Sequence, residues 1–475
     1  MIRINVSFRG TLCLVAASAV MTLVLQGHAF ARSSPPGEGW KAGVAKVVIT
    51  PRHSMWMAGY ASRTKASEGK FQDLYAKALA IEDAGGRRLV IVSTDLIGLP
   101  GSAANPIAAR AQKLFGLSRA SLMLTSSHTH SGPAINGCLD GMTSAAKLSA
   151  AERNAIKAYG RELQDKIVAV IGDSLKDLSA ARMSFSRGEA MFGMNRREAG
   201  PNGVQFGTDK NGSVDHDVPV LRVESPSGRV KAILFGYACH NTTLPGVFYQ
   251  FSGDYAGFAQ EALEKSYPGV TALFLMGCGA DINPQPNGTL ELARRHGEAL
   301  AAAVARAMPR ALPVRGTLKV DFERFMLPLR TPPTRNELQR LLSSPDLHRR
   351  NHARRLLARM TQSGKLPSQL PYVAQVVQFG FDLTLVALAG EVVTDYSLRL
   401  KRELGANGLW VASYSNDVFG YIPSARVLRE GGYEAHDSVV FYDLPAPFDP
   451  SVEETIIRKV HEMVRECGRR PIVAR

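Results

Sequence analysis

Short apolar runs alternate with longer amphipathic stretches through much of the chain. The apolar runs predict strands at residues 43–50, 76–82, 88–93, 121–125, 218–223, 230–238 and 271–277. Helical periodicity marks residues 103–115, 150–174, 255–265 and 290–308. This alternation predicts an α/β fold of layered mixed sheets flanked by helices.

The second half of the chain is less regular. Residues 316–327 and 375–388 are predicted strands, and residues 334–362 form a basic helical stretch that is typical of an insertion. Residues 391–404 are a predicted helix that opens directly after an apolar strand. Since no long linker separates these parts, we expect one large domain over residues 32–475, with two closely packed lobes as the alternative.

The amino terminus has the pattern of a secretory signal peptide. Arg3 and Arg9 precede an apolar run at residues 11–25, and the small residues Ala29 and Ala31 follow it. The alternative is an uncleaved membrane anchor, but the run is shorter than the roughly 20 apolar residues that span a bilayer. We therefore predict a signal peptide at residues 1–31 and a protein that is periplasmic or secreted.

The charge balance is strongly basic, with 57 Lys and Arg against 42 Asp and Glu, a net charge of +15. Such a charge can indicate nucleic acid, an anionic membrane surface or an acidic substrate as partner. No nucleic-acid-binding motif accompanies it, so we expect no nucleic-acid partner and only a weak contact with anionic membrane. Four cysteines outside the predicted signal peptide are too few for a disulfide framework, and buried thiols are predicted at Cys239 and Cys278.

Polar residues with metal-binding side chains follow several of the apolar strands. His128 and His130 come after residues 121–125 and would share one face of a regular strand, and His240 follows residues 230–238. Glu391 follows the strand that ends at Leu388. Imidazole and carboxylate groups are the usual ligands of catalytic zinc. Taken singly, His240 also fits a structural hydrogen bond, and Glu391 fits a helix N-terminal acid.

Five segments resemble the neutral ceramidases, in the same chain order. They are residues 128–133, 237–240, 252–255, 389–391, and 416–421 with 433–434. The resemblance covers roughly residues 43–437. It implies a zinc-dependent amidase that cleaves the N-acyl bond of ceramide, or of another amphiphilic amide, with a zinc-activated water.

The resemblance also implies roles for individual residues. The zinc ligands would be His128, His240, Glu391 and Tyr421. The reacting centre would be lined by His130 as proton shuttle, and by Arg196 and Tyr433 as oxyanion donors.

Two features depart from the family pattern. Asn283 stands where the family carries a serine, which disfavours a serine nucleophile and favours the zinc-activated water. The chain ends at Arg475, so we expect no C-terminal β-sandwich of the kind that ceramidases usually carry. The alternatives are a zinc hydrolase acting on another envelope amide or ester, and a non-catalytic binding protein that retains the metal.

Overall fold

The computed structural model describes residues 39–145, 148–201 and 203–469, and the predicted signal peptide lies outside them. Over these residues the strands are β1 (Trp40–Val48), β2 (Gly69–Lys70), β3 (Tyr75–Glu82), β4 (Arg88–Thr94), β5 (Leu122–Ser126), β6 (Ser179–Glu189), β7 (Gly193–Gly200), β8 (Gly203–Asp209), β9 (Asp217–Glu224), β10 (Val230–Tyr237), β11 (Gln250–Phe251), β12 (Thr271–Met276), β13 (Ile282–Pro284), β14 (Leu312–Val314), β15 (Leu318–Pro328), β16 (Gln369–Phe379), β17 (Leu383–Leu388), β18 (Glu391–Val392), β19 (Leu409–Ala412) and β20 (Tyr421–Ile422).

The helices connect these strands and cover the sheets. They are α1 (Gly101–Phe115), α2 (Asp140–Ala145), α3 (Ala150–Lys176), α4 (Asp254–Ser266), α5 (Leu290–Ala307), α6 (Arg335–Leu341), α7 (Leu347–Ser363), α8 (Thr394–Leu404), α9 (Ala425–Glu430), α10 (Val439–Tyr442) and α11 (Val452–Glu466), with a π-helical turn at Tyr433–Asp437.

Two large sheets pack against each other between two layers of helices. The larger sheet has the strand order β12-β10-β9-β6-β1-β3-β4-β5, with β14 also paired to β6, and the smaller sheet has the order β15-β16-β17-β19. Helices α1 and α3 cover one half of the larger sheet, and α4 and α5 cover the other half. Helices α8 and α11 cover the smaller sheet. The observed architecture confirms the predicted layered α/β fold.

Strand β3 illustrates why the sequence forms these layers. Ala76, Ala78 and Ala80 pack against α1 and α3, while Leu79 and Ile81 face the core between the two sheets. Both sides of the strand are apolar because both are buried, as is usual where helices cover the faces of a sheet.

The larger sheet curls so that its edge strand β12 approaches β3 and β4. Lys77 on β3 donates to the carbonyl oxygen of Ala272, and Ser93 on β4 donates to that of Phe274. The curl brings the carboxyl end of β5 near the carboxyl ends of β10 and β12. Thr129, after β5, and Asn241, after β10, then form a parallel bridge. Residues that follow distant strands of the sheet are thereby brought together.

Two small sheets complete the same region. β13 pairs with β7 of the β7–β8 hairpin, and β18 pairs with β20. The β18–β20 pairing sets Glu391 directly beside Tyr421.

The structure corrects three predicted elements. Residues 375–388 are two antiparallel strands, β16 and β17, rather than one, and they are joined by a turn in which Gly380 adopts a positive φ. The helical stretch 334–362 is divided into α6 and α7 by a break that contains Pro345. Glu391 does not open a helix, since it lies in β18 and α8 begins at Thr394. Among the described residues, no helix has the length and apolar character needed to cross a membrane.

Candidate metal centre and active site

Three buried histidines converge where the strand ends meet. The nitrogen atoms that His128, His130 and His240 can offer to a metal all lie within 4.8 Å of one another. β5 ends at Ser126, and His128 adopts a left-handed conformation with φ of 61°. The prediction that the two histidines share one face of a regular strand is therefore wrong. Their convergence comes from a turn held in a conformation that is rare for residues other than glycine and that is concentrated at functional sites.

The outer ring nitrogen of each histidine is fixed by a backbone carbonyl. Nδ1 of His128 lies 2.6 Å from the oxygen of Ile97, and Nδ1 of His130 lies 2.9 Å from that of Gly59. Nδ1 of His240 lies 2.8 Å from the oxygen of Gly279. Since a carbonyl only accepts, each Nδ1 carries the proton and each Nε2 presents a lone pair.

Gly59 is required for this arrangement. Its φ is +98°, and a Cβ at this position would lie 2.7 Å from the ring of His130. The carbonyl that orients His130 can approach only because residue 59 has no side chain.

Glu391 places a carboxylate among these lone pairs. One of its oxygens lies 3.2 Å from Nε2 of both His128 and His240. Tyr414 and Tyr442 donate hydroxyl hydrogen bonds to the carboxylate. We refer to His128, His130, His240 and Glu391 as the histidine cluster.

The chemistry of the histidine cluster fits a divalent metal. Nε2 of His128 and Nε2 of His130 are 3.1 Å apart, and in the neutral tautomers that the carbonyls select neither has a proton to donate. Burial lowers the pKa of His240 to about 4 and that of His130 well below its ordinary value, so both imidazoles are neutral at pH 7. Neutral imidazoles and an ionised carboxylate that face one another need a cation between them.

Tyr421 and Arg196 form the next layer of the site. The hydroxyl of Tyr421 lies 3.5 Å from Nε2 of His240 and 3.2 Å from Nη2 of Arg196. Burial is the main cause that raises the pKa of Tyr421 well above its ordinary value, so without a metal it is a neutral phenol. Arg196 stays protonated, because Tyr421 and Glu434 outweigh the effect of its burial and raise its pKa.

A buried ion-pair network holds Arg196 in place. Nε of Arg196 lies 2.8 Å from one oxygen of Glu434, and Nη1 of Arg197 lies 2.6 Å from the other. Arg196 and Arg197 belong to β7, and Glu434 belongs to the π-helical turn. Since all three side chains are almost fully buried, the guanidinium of Arg196 cannot swing away from Tyr421 without leaving Glu434 short of a partner.

Tyr433 lies at the outer side of this layer and is partly exposed. Its ring centroid is 5.3 Å from that of Tyr421 and 4.9 Å from that of Phe206. All seven residues predicted from the resemblance are thus brought together: His128, His130, Arg196, His240, Glu391, Tyr421 and Tyr433.

The segment that carries Tyr433 also borders a cavity of about 1300 Å³. Its opposite wall is formed by α6 and α7, and apolar lining comes from Leu338, Leu341, Val440 and Phe441. Phe441 is in ring contact with Tyr433, and Tyr442 contacts Glu391. The cavity is therefore linked to the histidine cluster through Tyr442, which follows the lining residue Phe441 and contacts Glu391.

Several supporting residues were missed from the sequence. Tyr414, Tyr442 and Glu434 carry no recognisable spacing, and the strands β6, β7 and β8 were not predicted. Asn416 and Glu434 lie within the segments that resemble the neutral ceramidases, but only the geometry shows that Glu434 pairs with Arg196. All four cysteines outside the predicted signal peptide are buried free thiols in the structure, which confirms the prediction for Cys239 and Cys278.

The comparisons with known proteins agree with this architecture. Residues 40–298 match the family model described as neutral/alkaline non-lysosomal ceramidase, N-terminal. Because the match covers more than half of the chain, the chain belongs to the neutral/alkaline non-lysosomal ceramidase family, which confirms the resemblance.

The curated relatives are longer than the region they share with this chain. Neutral ceramidase A of Dictyostelium discoideum is 27% identical over 249 residues, which are 49% of this chain and 34% of that protein. Neutral ceramidase of Pseudomonas aeruginosa is 24% identical over 290 residues, which are 58% of this chain and 42% of that protein. The matched region thus spans less than half of either relative.

Two solved structures share the fold over most of the chain. The crystal structure of neutral ceramidase from Pseudomonas aeruginosa has a TM-score of 0.70 at 21% identity and covers 91% of this chain and 75% of that chain. A ceramidase complexed with C2 has a TM-score of 0.69 at 19% identity, covering 90% and 75%. At these identities the likeness establishes the fold.

Proposed function

We propose that this protein is an exported, zinc-dependent hydrolase that cleaves the N-acyl amide bond of ceramide or a related N-acylated lipid. The observation that carries the proposal is the histidine cluster, in which acceptor groups face one another in a buried site. Membership of the ceramidase family supports the amide as the bond that is cleaved. Export rests on the predicted signal peptide at residues 1–31, and residues 32–475 would form the catalytic domain.

We assign the zinc to His128, His240, Glu391 and Tyr421. The carbonyls that hold the Nδ1 protons of His128 and His240 leave both Nε2 atoms free to bind metal. A zinc ion there would supply Lewis acidity, which polarises a carbonyl and makes a water molecule acidic near neutral pH. A nearby cation would also favour the phenolate of Tyr421.

His130 would take up a proton during the reaction. Its Nδ1 is protonated and donates to Gly59, so its Nε2 is the only ring atom that can accept. This Nε2 lies 3.1 Å from Nε2 of the proposed zinc ligand His128, so His130 would be the base that takes up the proton of the attacking water. The proton would then pass to the leaving amine.

Arg196 and Tyr433 provide donors for the developing oxyanion. Arg196 is fixed by Glu434 and is cationic, so it needs little reorganisation when negative charge forms. Tyr433 is partly exposed, and its ring centroid lies 5.3 Å from that of Tyr421. One such donor is typically worth about 3–4 kcal/mol of transition-state stabilisation.

We place the acyl chain in the cavity between α6, α7 and α10. Its volume exceeds the roughly 300–1,000 Å³ of ordinary ligand pockets, and long chains need such room. The basic surface would give a weak attraction to an anionic membrane, where an N-acylated lipid substrate would be located.

A substrate panel tests the proposal. Purified protein, loaded with zinc or stripped with chelator, is incubated with ceramides and N-acyl amino acids of several acyl lengths, together with matched esters. Released amine or alcohol is measured. We expect zinc-dependent amide cleavage that improves with acyl length. Cleavage of esters alone would favour a different envelope substrate, and no cleavage with zinc bound would favour a binding protein.

A further inference from the structure

Asn283 occupies an unusual position beside Arg196. It lies in β13, opposite Met194 of β7, and its side chain is partly exposed. Its amide oxygen accepts from Nη1 of Arg196 at 3.3 Å and from the hydroxyl of Thr242 at 3.4 Å. The same guanidinium reaches Tyr421 through Nη2. The side chains of Arg196 and Tyr421 therefore lie between Asn283 and the histidine cluster.

The orientation of the Asn283 amide is fixed by chemistry. A guanidinium group only donates, so the oxygen rather than the nitrogen of the amide must face Arg196. The amide nitrogen Nδ2 then points away from Arg196, and it has no hydrogen-bond partner among the described residues. Two N–H groups of a partly exposed side chain beside Arg196 are thus available to a bound molecule.

We propose that Asn283 is a specificity-determining residue that donates a hydrogen bond to an oxygen on the amine portion of the substrate. The inference rests on the amide hydrolysis proposed above. An acyl chain offers no acceptor other than the carbonyl of the scissile bond, and that carbonyl belongs at the histidine cluster. A further acceptor within reach of Asn283 must therefore come from the amine side, as a hydroxyl or a similar oxygen.

The residue type matters for this role. A serine here would offer one hydroxyl proton, which rotates freely, whereas Asn283 presents two protons whose direction is set by Arg196 and Thr242. Asn283→Asp keeps the acceptor for both neighbours and removes both donors. It is therefore the cleanest change with which to test the donor.

The experiment compares two amides that differ by one hydroxyl, N-dodecanoyl-2-amino-1-butanol and N-dodecanoyl-2-aminobutane. Released amine gives kcat/KM for each with wild type, Asn283→Asp, Asn283→Ser and the exposed control Asn407→Asp. Wild type and the control should prefer the hydroxyl-bearing amide by about fivefold to tenfold, the effect of one hydrogen bond. Asn283→Asp should lose this preference at unchanged zinc content, and Asn283→Ser should retain only part of it.

A binding measurement separates this inference from the proposed function. The matching N-dodecyl amines lack the carbonyl and cannot be hydrolysed, and calorimetry gives their Kd values with the same proteins. Tighter binding of the hydroxyl-bearing amine that is lost in Asn283→Asp, without hydrolysis of either amide, would refute the amidase function. It would still support the role of Asn283 as a hydrogen-bond donor to the ligand. Equal affinities and rates for both members of each pair in wild type, or an unchanged preference in Asn283→Asp, would overturn the inference.

Discussion

Two buried polar clusters in this protein differ in how their members are satisfied. In the lysine cluster, which consists of Lys77, Asp95, Gln260 and Glu264, donors face acceptors. Nζ of Lys77 lies 2.7 Å from Glu264, and Asp95 accepts from Gln260 at 3.1 Å. In the histidine cluster, unprotonated nitrogens and a carboxylate face one another.

The contrast indicates which cluster has a structural role and which has a chemical one. The lysine cluster is complete as it stands and ties β3 to α4 and β12. At the centre of the histidine cluster, the described residues provide no positive charge to balance the carboxylate and the nitrogen lone pairs. A buried polar group without a complementary partner is costly, so such an arrangement persists when a ligand supplies the partner.

The largest expected difference comes from disrupting each cluster in turn. Lys77→Met removes the cation nearest to buried Asp95 and leaves the partly exposed Glu264 only Lys46 as a partner, so it should lower the free energy of unfolding by about 3 kcal/mol. Zinc at about 100 times its Kd should still raise that free energy by about 2.7 kcal/mol, as in wild type. Glu391→Gln should abolish the zinc-induced gain. Denaturant unfolding with zinc and with chelator measures both effects, and a zinc-induced gain that survives in Glu391→Gln would contradict the assignment.

His130→Ala tests the division of labour within the histidine cluster. If His130 takes up a proton rather than holding the metal, kcat should fall by about 10²–10⁴-fold while zinc content stays at the wild-type level. Steady-state kinetics and elemental analysis on the same sample measure both. Loss of zinc in this variant would make His130 a ligand.

Glu434→Gln tests whether the ion-pair network positions Arg196. Removing its charge frees the guanidinium while keeping the side-chain volume, so kcat should fall by about 10–100-fold with KM and zinc content little changed. Glu430→Gln is the matched control, because Glu430 pairs with Arg197 and Arg426 but not with Arg196. Equal losses in the two variants would reduce the role of Glu434 to folding.

His352 is a buried histidine outside the histidine cluster, and it has a hydrogen-bond partner within the protein. Burial lowers its pKa from 6.5 to about 4, and its Nε2 donates to the carbonyl of Leu444. The folded protein therefore binds this proton less readily than the unfolded chain, so stability is lost as the pH falls from about 6.5 to about 4. The contribution at pH 5 is about 2 kcal/mol less than at pH 7. His352→Gln should remove this difference, as measured by urea unfolding at both pH values, and an unchanged pH dependence would refute it.

The sequence predicted the elements with strong local patterns. The strands that precede His128 and His240 were placed to within about two residues, since their apolar runs are continuous and end in polar segments. The approach of those strand ends could not be predicted, because it depends on the curl of the sheet and on contacts such as Lys77 with Ala272. Residue types at strand ends indicated a metal site, but not the tautomers that give it an acceptor-only character.

The local interpretation of Glu391 was wrong for a related reason. An acid at the start of an apparent helix is a common local pattern, yet Glu391 pairs in β18 with a strand that lies thirty residues further along the chain. Tyr421 is beside Glu391 through that same pairing. Arg196 and Glu434 show the same limit, since the ion pair joins strand β7 to a π-helical turn far along the chain, and neither element was predicted.

The most direct test of the central claim is the metal content of the purified protein, with wild type beside His240→Ala. The arrangement of the histidine cluster predicts about one zinc per wild-type chain and almost none in the variant. Wild-type protein that binds no zinc after zinc has been supplied, or a variant that binds as much as wild type, would contradict the assignment of this cluster as a metal centre.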